Sequence, residues 1–141
     1  MFLISHRGNI EGPNKEKENN PDYILRALEK NFHVEIDIWV KQNQIFLGHD
    51  DPTYKVTLNF IKNNSIWCHA KNFEALLYLR ENNCHFFWHQ NDKYTITSKG
   101  YIWAYPGETI SKDAICVLPE SFNWKVEPCA GICSDYIIDY K

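Results

Sequence analysis

His33-Val34-Glu35-Ile36-Asp37-Ile38-Trp39-Val40 alternates from end to end. A pleated strand sends successive side chains to opposite faces, so Val34, Ile36, Ile38 and Val40 share one side and Glu35, Asp37 and Trp39 the other. Two carboxylates beside a strand whose far face is wholly aliphatic are costly unless they are paired or hold a cation. A solvated strand face is the ordinary alternative, so the neighbouring segments decide. Lys41-Gln42-Asn43-Gln44 reads as a turn, and Ile45-Phe46-Leu47 as the antiparallel return that ends at Gly48-His49-Asp50-Asp51. That return brings His49 back beside Glu35 and Asp37.

Upstream, Phe2-Leu3-Ile4 reads as a short buried strand that runs into Ser5-His6-Arg7-Gly8. A polar loop follows to Asn19. Asn20-Pro21-Asp22 then starts a helix, with Asn as cap, Pro in the first turn and an acid near the helix N-terminus. Downstream, a short helix is expected near Leu58 to Lys62, a strand from Ser65 to Ala70, and a helix capped by Asn72 that carries Phe73, Leu76, Leu77 and Leu79. His85 to Trp88 reads as the next strand. Tyr101 to Tyr105, Ala114 to Leu118 and Ile132 to Tyr136 are later strand candidates, with little helical pattern between them. Strands alternating with helices imply right-handed parallel crossovers and an α/β fold. No repeat or linker divides residues 1–141, which read as one domain.

The composition narrows the function classes. A net charge of −3 over 141 residues, without a Lys/Arg stripe, argues against a nucleic-acid partner. Hydrophobic content of 44% fits a packed globular chain. The apolar run Met1 to Ile4 is far too short for a signal sequence, and no segment is long enough to span a membrane. The expectation is therefore a cytoplasmic protein. Its five cysteines, Cys68, Cys84, Cys116, Cys129 and Cys133, are irregularly spaced and read as reduced, mostly buried thiols.

In parallel α/β folds the carboxyl ends of the strands gather on one side, where sites assemble. His6-Arg7-Gly8 falls at such an end, after the first strand, and the hairpin brings His49-Asp50 to the same place by a different route. Two histidines there can serve as acid and base near neutral pH. An arginine fork suits phosphate oxygens, and paired carboxylates suit a hard divalent cation.

In this order the motifs resemble the glycerophosphodiester phosphodiesterase family and its relatives among the phosphoinositide phospholipases C. The segments concerned are Ser5-His6-Arg7-Gly8, Glu18-Asn19-Asn20-Pro21, Glu35-Ile36-Asp37 and Gly48-His49-Asp50-Asp51. The closing Gly131-Ile132-Cys133-Ser134-Asp135-Tyr136 is similar to that family's last barrel strand. The resemblance implies a metal-dependent phosphodiesterase acting on a glycerophosphodiester-like substrate through a cyclic phosphate. His6 and His49 would be acid and base, and Arg7 would hold the phosphate. Glu35 and Asp37 would bind Mg²⁺ or Ca²⁺, with Glu18 completing the shell.

Two departures qualify it. Where the family carries Glu-x-Lys on its third strand, this chain has His69-Ala70-Lys71. His69 as a ligand would make the site tolerant of Mn²⁺ or Zn²⁺; a rim histidine bonded to backbone is the alternative. Lys71 shares its face and would touch phosphate. The chain is also short for a (β/α)₈ barrel, which typically takes about 250 residues. The expected fold is a shortened TIM-barrel-like (β/α) barrel of about seven strands, lacking helices in its C-terminal half. A homodimer would cover the exposed sheet. Trp88, Gln90, Asn91 and Trp103 are candidates to line a pocket for a polyol or sugar headgroup. Two other outcomes fit the same residues: a binding module that has lost turnover, and a lyase that stops at the cyclic phosphate.

Overall fold

Covering both faces of one central strand organises the chain. The computed structural model describes residues 1–122, 126 and 128–141. Its elements are β1 (Phe2–His6), α1 (Pro21–Glu29), β2 (His33–Lys41), β3 (Gln44–Leu47), β4 (Tyr54–Val56), α2 (Leu58–Ile61) and β5 (Ile66–Ala70). Then come α3 (Phe73–Glu81), β6 (Phe86–Phe87), β7 (Tyr94–Ile96), β8 (Ile102–Ala104), β9 (Ala114–Val117) and β10 (Gly131–Ser134). Single 3-10 turns lie at Pro119–Phe122 and Ile137–Tyr140.

The two longer helices start where their caps require. The Asn20 side chain accepts from the Asp22 and Tyr23 amides, and Asn72 from the Ala75 amide, satisfying donors that the first turn leaves unpaired. Gln42 and Asn43 both hold left-handed backbone (φ 50° and 60°), the geometry of a two-residue hairpin whose twist matches its strands. The register pairs Trp39 with Phe46 and Lys41 with Gln44.

β8, β9, β10, β1, β2, β5 and β6 lie side by side and parallel. β3 and β4 add an antiparallel ribbon to β2, and β7 pairs antiparallel with β8. The helix-alternating barrel expected from sequence is not what forms. The sheet is mixed, ten-stranded and open, with three short α-helices among the described residues. It curls enough for Phe87 to stack on Trp103 at 4.4 Å, yet no ladder joins β6 to β8 among the described residues. The physical cause lies after α3. The chain between β6 and β8 is spent on β7, and the β8–β9 connection holds no helix, although parallel crossovers ordinarily use one. The strands Tyr54–Val56 and Tyr94–Ile96 were not anticipated; each is three residues long, too short for a periodic signal.

The outer face of β2 meets α1 and α3 in one apolar core that includes Ile24, Ala27, Val34, Ile36, Ile38, Ala75 and Leu79. The inner face of the curled sheet is filled by Ile4, Trp67, Phe87, Trp103, Ile115, Val117 and Cys133. Glu35 (2% exposed) and Asp37 (0%) lie on that inner side, so β2 is buried on both faces. Cys68, Cys84, Cys116 and Cys133 are buried and Cys129 half-buried, all as free thiols. Burial pushes the Cys116 thiol up to about 12, which keeps it protonated and unreactive. No helix among the described residues is long and apolar enough to cross a membrane.

Candidate active site

The edge of β2 changes partner in the middle, and the site forms at the change. β1 runs beside His33 to Glu35, and β3 beside Ile38 to Lys41. Where β1 leaves, the Arg7 amide donates to the Glu35 carbonyl (2.9 Å); where β3 arrives, the Gly48 amide donates to the Asp37 carbonyl (3.2 Å). His6-Arg7 and Gly48-His49 thus converge on the two carboxylates. Two glycines make the approach possible. A Cβ on Gly48 (φ 154°) would collide with the Asp51 carbonyl oxygen, and one on Gly8 (φ 94°) would stand 2.7 Å from the Tyr23 ring.

His6, half-buried at the end of β1, is oriented from behind. Its Nδ1 lies 2.7 Å from Asp135 Oδ1, and its Nε2 faces inward, 3.9 Å from Glu35 Oε2. Burial pulls its pKa down, but the Asp135 hydrogen bond and the Glu35 charge outweigh this and leave it above its ordinary value. Asp135 is drawn below the usual carboxylate range: burial works against this, and the His6 hydrogen bond and charge outweigh it.

Glu35, Asp37 and His69 present one ligand atom each within 4.8 Å of one another. His69 Nδ1 stands 3.3 Å from Asp37 Oδ1 and 3.6 Å from Glu35 Oε1. Its Nε2 donates to the His89 carbonyl at 2.7 Å, so the Nε2 position carries the proton and Nδ1 is directed at the carboxylates. The backbone-bonded reading of His69 describes its Nε2. Burial lowers the His69 pKa, but the Asp37 and Glu35 interactions raise it further, to a net value above the ordinary. Asp37 lies well below the carboxylate range: its burial is outweighed by His69, Arg7 and Lys71, the last 3.8 Å away. Glu35 Oε2 and Asp37 Oδ1 are buried without a hydrogen-bond donor. Bare carboxylate oxygens at such depth are what a divalent cation satisfies, and the donor set of two carboxylates and an imidazole suits Mn²⁺ or Zn²⁺ as well as Mg²⁺.

Glu18 stands apart from this group. Arg7 donates to one of its oxygens (3.2 Å) and the Asn9 amide to the other (3.0 Å), so its role here is to hold Arg7. Arg7 also brings Nε to 3.0 Å from Asp37. Two asparagines complete the frame, and neither carried a role in the sequence reading. Asn19 donates to Asp37 Oδ2 (2.8 Å) and accepts the Asp37 amide (2.9 Å). Asn9, fully buried, donates to both Glu18 and Asp135. Asp135 was part of a quoted motif, but only its pairing with His6 gives it a function. A polar residue directly after a strand that neighbours β1 was the available signal.

His6, Arg7, Glu35, His49, His69 and Lys71 line one cavity of about 330 Å³. His49 sits at its rim, 44% exposed, with Nδ1 2.8 Å from Asp50. Gln90 and Trp103 also line the cavity. Trp88 and Asn91 do not: Trp88 packs against the outer core and Asn91 faces solvent, because β6 ends at Phe87 and the chain turns outward.

No family model, curated protein or solved structure matches this chain.

Proposed function

We propose that the chain is a divalent-metal phosphodiesterase, acting on a glycerophosphodiester-like small molecule. One observation carries this reading. A carboxyl-oriented histidine, an arginine and a second histidine surround a cavity that Glu35 also lines, with a buried carboxylate oxygen that no donor reaches. The order of the sequence motifs, which resembles the glycerophosphodiester phosphodiesterases, supports it independently.

Glu35, Asp37 and His69 would hold the cation, which when bound neutralises charge on the phosphorus oxygens. Asp135 keeps the His6 proton on Nδ1 and its Nε2 turned inward, ready to take a proton from an attacking hydroxyl. His49, at the open rim, gives a proton to the departing alcohol. Arg7, steadied by Glu18, offers donors to a non-bridging oxygen, and Lys71 adds positive charge from the opposite strand.

Hydrolysis of diglycerol phosphate tests the reading. Activity should require Mg²⁺, Ca²⁺ or Mn²⁺, vanish in EDTA and return on refilling. Phosphorus NMR separates a product that stays cyclic from one that opens to the monoester. Undiminished turnover in EDTA would exclude the mechanism. A binding module without turnover is the second reading, favoured by Arg7 being held by both Glu18 and Asp37. Calorimetry giving tight phosphodiester binding and no product over hours would select it.

A further inference from the structure

The cavity that holds His6 has two unlike walls, and it adjoins a second cavity of about 450 Å³. Arg7 and His49 line both. On the phosphodiesterase reading, on which this inference rests, they mark the place of the phosphate, with one alcohol on each side of it.

The sides differ in chemistry. Besides Arg7 and His49, the second cavity is walled by Lys15, Glu18, Asn19, Asp50, Asp51 and Thr53, with Tyr54 beside them. These groups donate to and accept from hydroxyls. In the first cavity, the apolar wall is Tyr105, Pro106, Val117 and Leu118, with Trp103. It is built from the carboxyl ends of β8 and β9 and the residues just after them.

Leu118 sets this wall apart from an ordinary apolar rim. It holds left-handed backbone at φ 46°, a region that penalises any residue with a Cβ and that glycine would occupy freely. Its amide donates to the Cys133 carbonyl (2.7 Å), and its carbonyl accepts from Ser121 (3.0 Å), so the neighbouring strand and the following turn hold it there. Strain retained at a cavity wall points to a function for the side chain. Tyr105 stays 43% exposed, beside the His89 ring at 5.6 Å. Further out, Phe122 (62% exposed) lies over Gly107. An apolar surface therefore runs from the cavity to solvent.

We propose that the substrate is an asymmetric phosphodiester. Its hydroxyl-rich alcohol lies in the Lys15–Asp51 cavity, and its apolar alcohol lies against Tyr105, Pro106 and Leu118. Burying an alkyl or aryl group on that wall favours the asymmetric diester over one with two polar alcohols. The polar cavity in turn disfavours a diester with two apolar ones.

Three alkyl diesters, each with a hydroxyl on the carbon next to one ester carbon so that all can cyclise, test this: butyl glycerol phosphate, diglycerol phosphate and butyl 2-hydroxybutyl phosphate. Butyl glycerol phosphate should have a kcat/KM on the order of tenfold above either of the other two, the effect of burying about two methylenes. Leu118→Gly should remove most of that advantage over diglycerol phosphate, with a small fall in the urea midpoint, because the relieved backbone offsets part of the packing lost against the inner core. Tyr105→Ser should do the same less strongly. Equal kcat/KM for the three diesters, or equal losses on all three in Leu118→Gly, would overturn the asymmetric substrate and leave the phosphodiesterase reading standing. Calorimetry with butyl phosphate and glycerol 1-phosphate covers the converse case, in which no diester is cleaved. Butyl phosphate should then bind more weakly to Leu118→Gly while glycerol 1-phosphate is unchanged. That result would keep the wall and remove the enzyme; equal affinities would remove both.

Discussion

The parallel strands end in opposite chemistries. At their amino ends the inner space is closed by rings: Phe2 packs edge-on against Trp67 (5.5 Å) and Tyr101 (5.3 Å), and His85 lies 4.1 Å from Trp67. At their carboxyl ends the same space holds Glu35, Asp37, His6, His69 and Arg7. Histidine occurs at both ends and responds differently. At the ring end His33 accepts from the Trp67 indole (3.1 Å), and burial, with Lys99 nearby, lowers its pKa; His85 is lowered by the same causes to about 4. At the charged end burial also opposes protonation, but adjacent carboxylates overcome it and raise His6 and His69. The side chain is the same; the presence of a carboxylate within reach decides its charge. One end is built for cohesion and the other for chemistry.

If that division holds, the largest response should come from the ring end. Trp67→Ala deletes the ring that contacts Phe2, His85, Tyr101 and Trp103, and should cost about 3–5 kcal/mol of stability, read from urea unfolding followed by circular dichroism. A loss under about 1 kcal/mol would mean that the rings are not what closes this end.

At the charged end, His6→Ala should lower turnover at least about a hundredfold, about 2.7 kcal/mol of barrier. The unfolding midpoint should move little. His49→Ala should do likewise in a kinetic assay, and full activity in either variant would remove their acid–base roles. Asn9→Leu sharpens the same end. It strips a shared donor from Glu18 and Asp135, for an expected cost of about 1–3 kcal/mol, and the pH profile of turnover should shift as His6 loses its fixed partner.

The pH dependence of stability is the most direct test of the contrast. His69 titrates higher folded than unfolded, so its contribution is complete below about pH 6.5 and is lost as pH rises through about 9. His85 titrates lower folded than unfolded. Its contribution is complete above about pH 6.5 and is lost as pH falls toward about 4. In metal-free protein the urea midpoint should peak near pH 6.5 and decline on both sides, by at most about 1.4 kcal/mol per pH unit for each proton. His85→Phe should flatten the acid side alone. A midpoint that is level across this range would break the comparison.

The local signals in the sequence proved sound where they were strong. The alternation through Val34, Ile36, Ile38 and Val40 gave β2, the Asn20-Pro21 pair gave the start of α1, and the Gln42-Asn43 turn gave the hairpin that returns His49. Each depends on a few adjacent residues. The whole architecture was misjudged, since it depends on how many crossovers carry helices and on whether the first and last strands meet. That is settled by connections of irregular composition, where no period exists to be read.

For the candidate site, the sequence by itself put Glu35 and Asp37 on one face of their strand, and His6-Arg7 and His49 directly after theirs, because pleating and strand direction follow from local pattern. Only the tertiary structure decided what each of them touches. Glu18 went to Arg7 and Asn9, Asp135 came from the far end of the chain to hold His6, and the His89 carbonyl turned the His69 Nδ1 toward the carboxylates. Side-chain partnership across more than a hundred residues is a matter of packing, and hydrogen bonds are satisfied by whichever donor the fold delivers within about 3 Å.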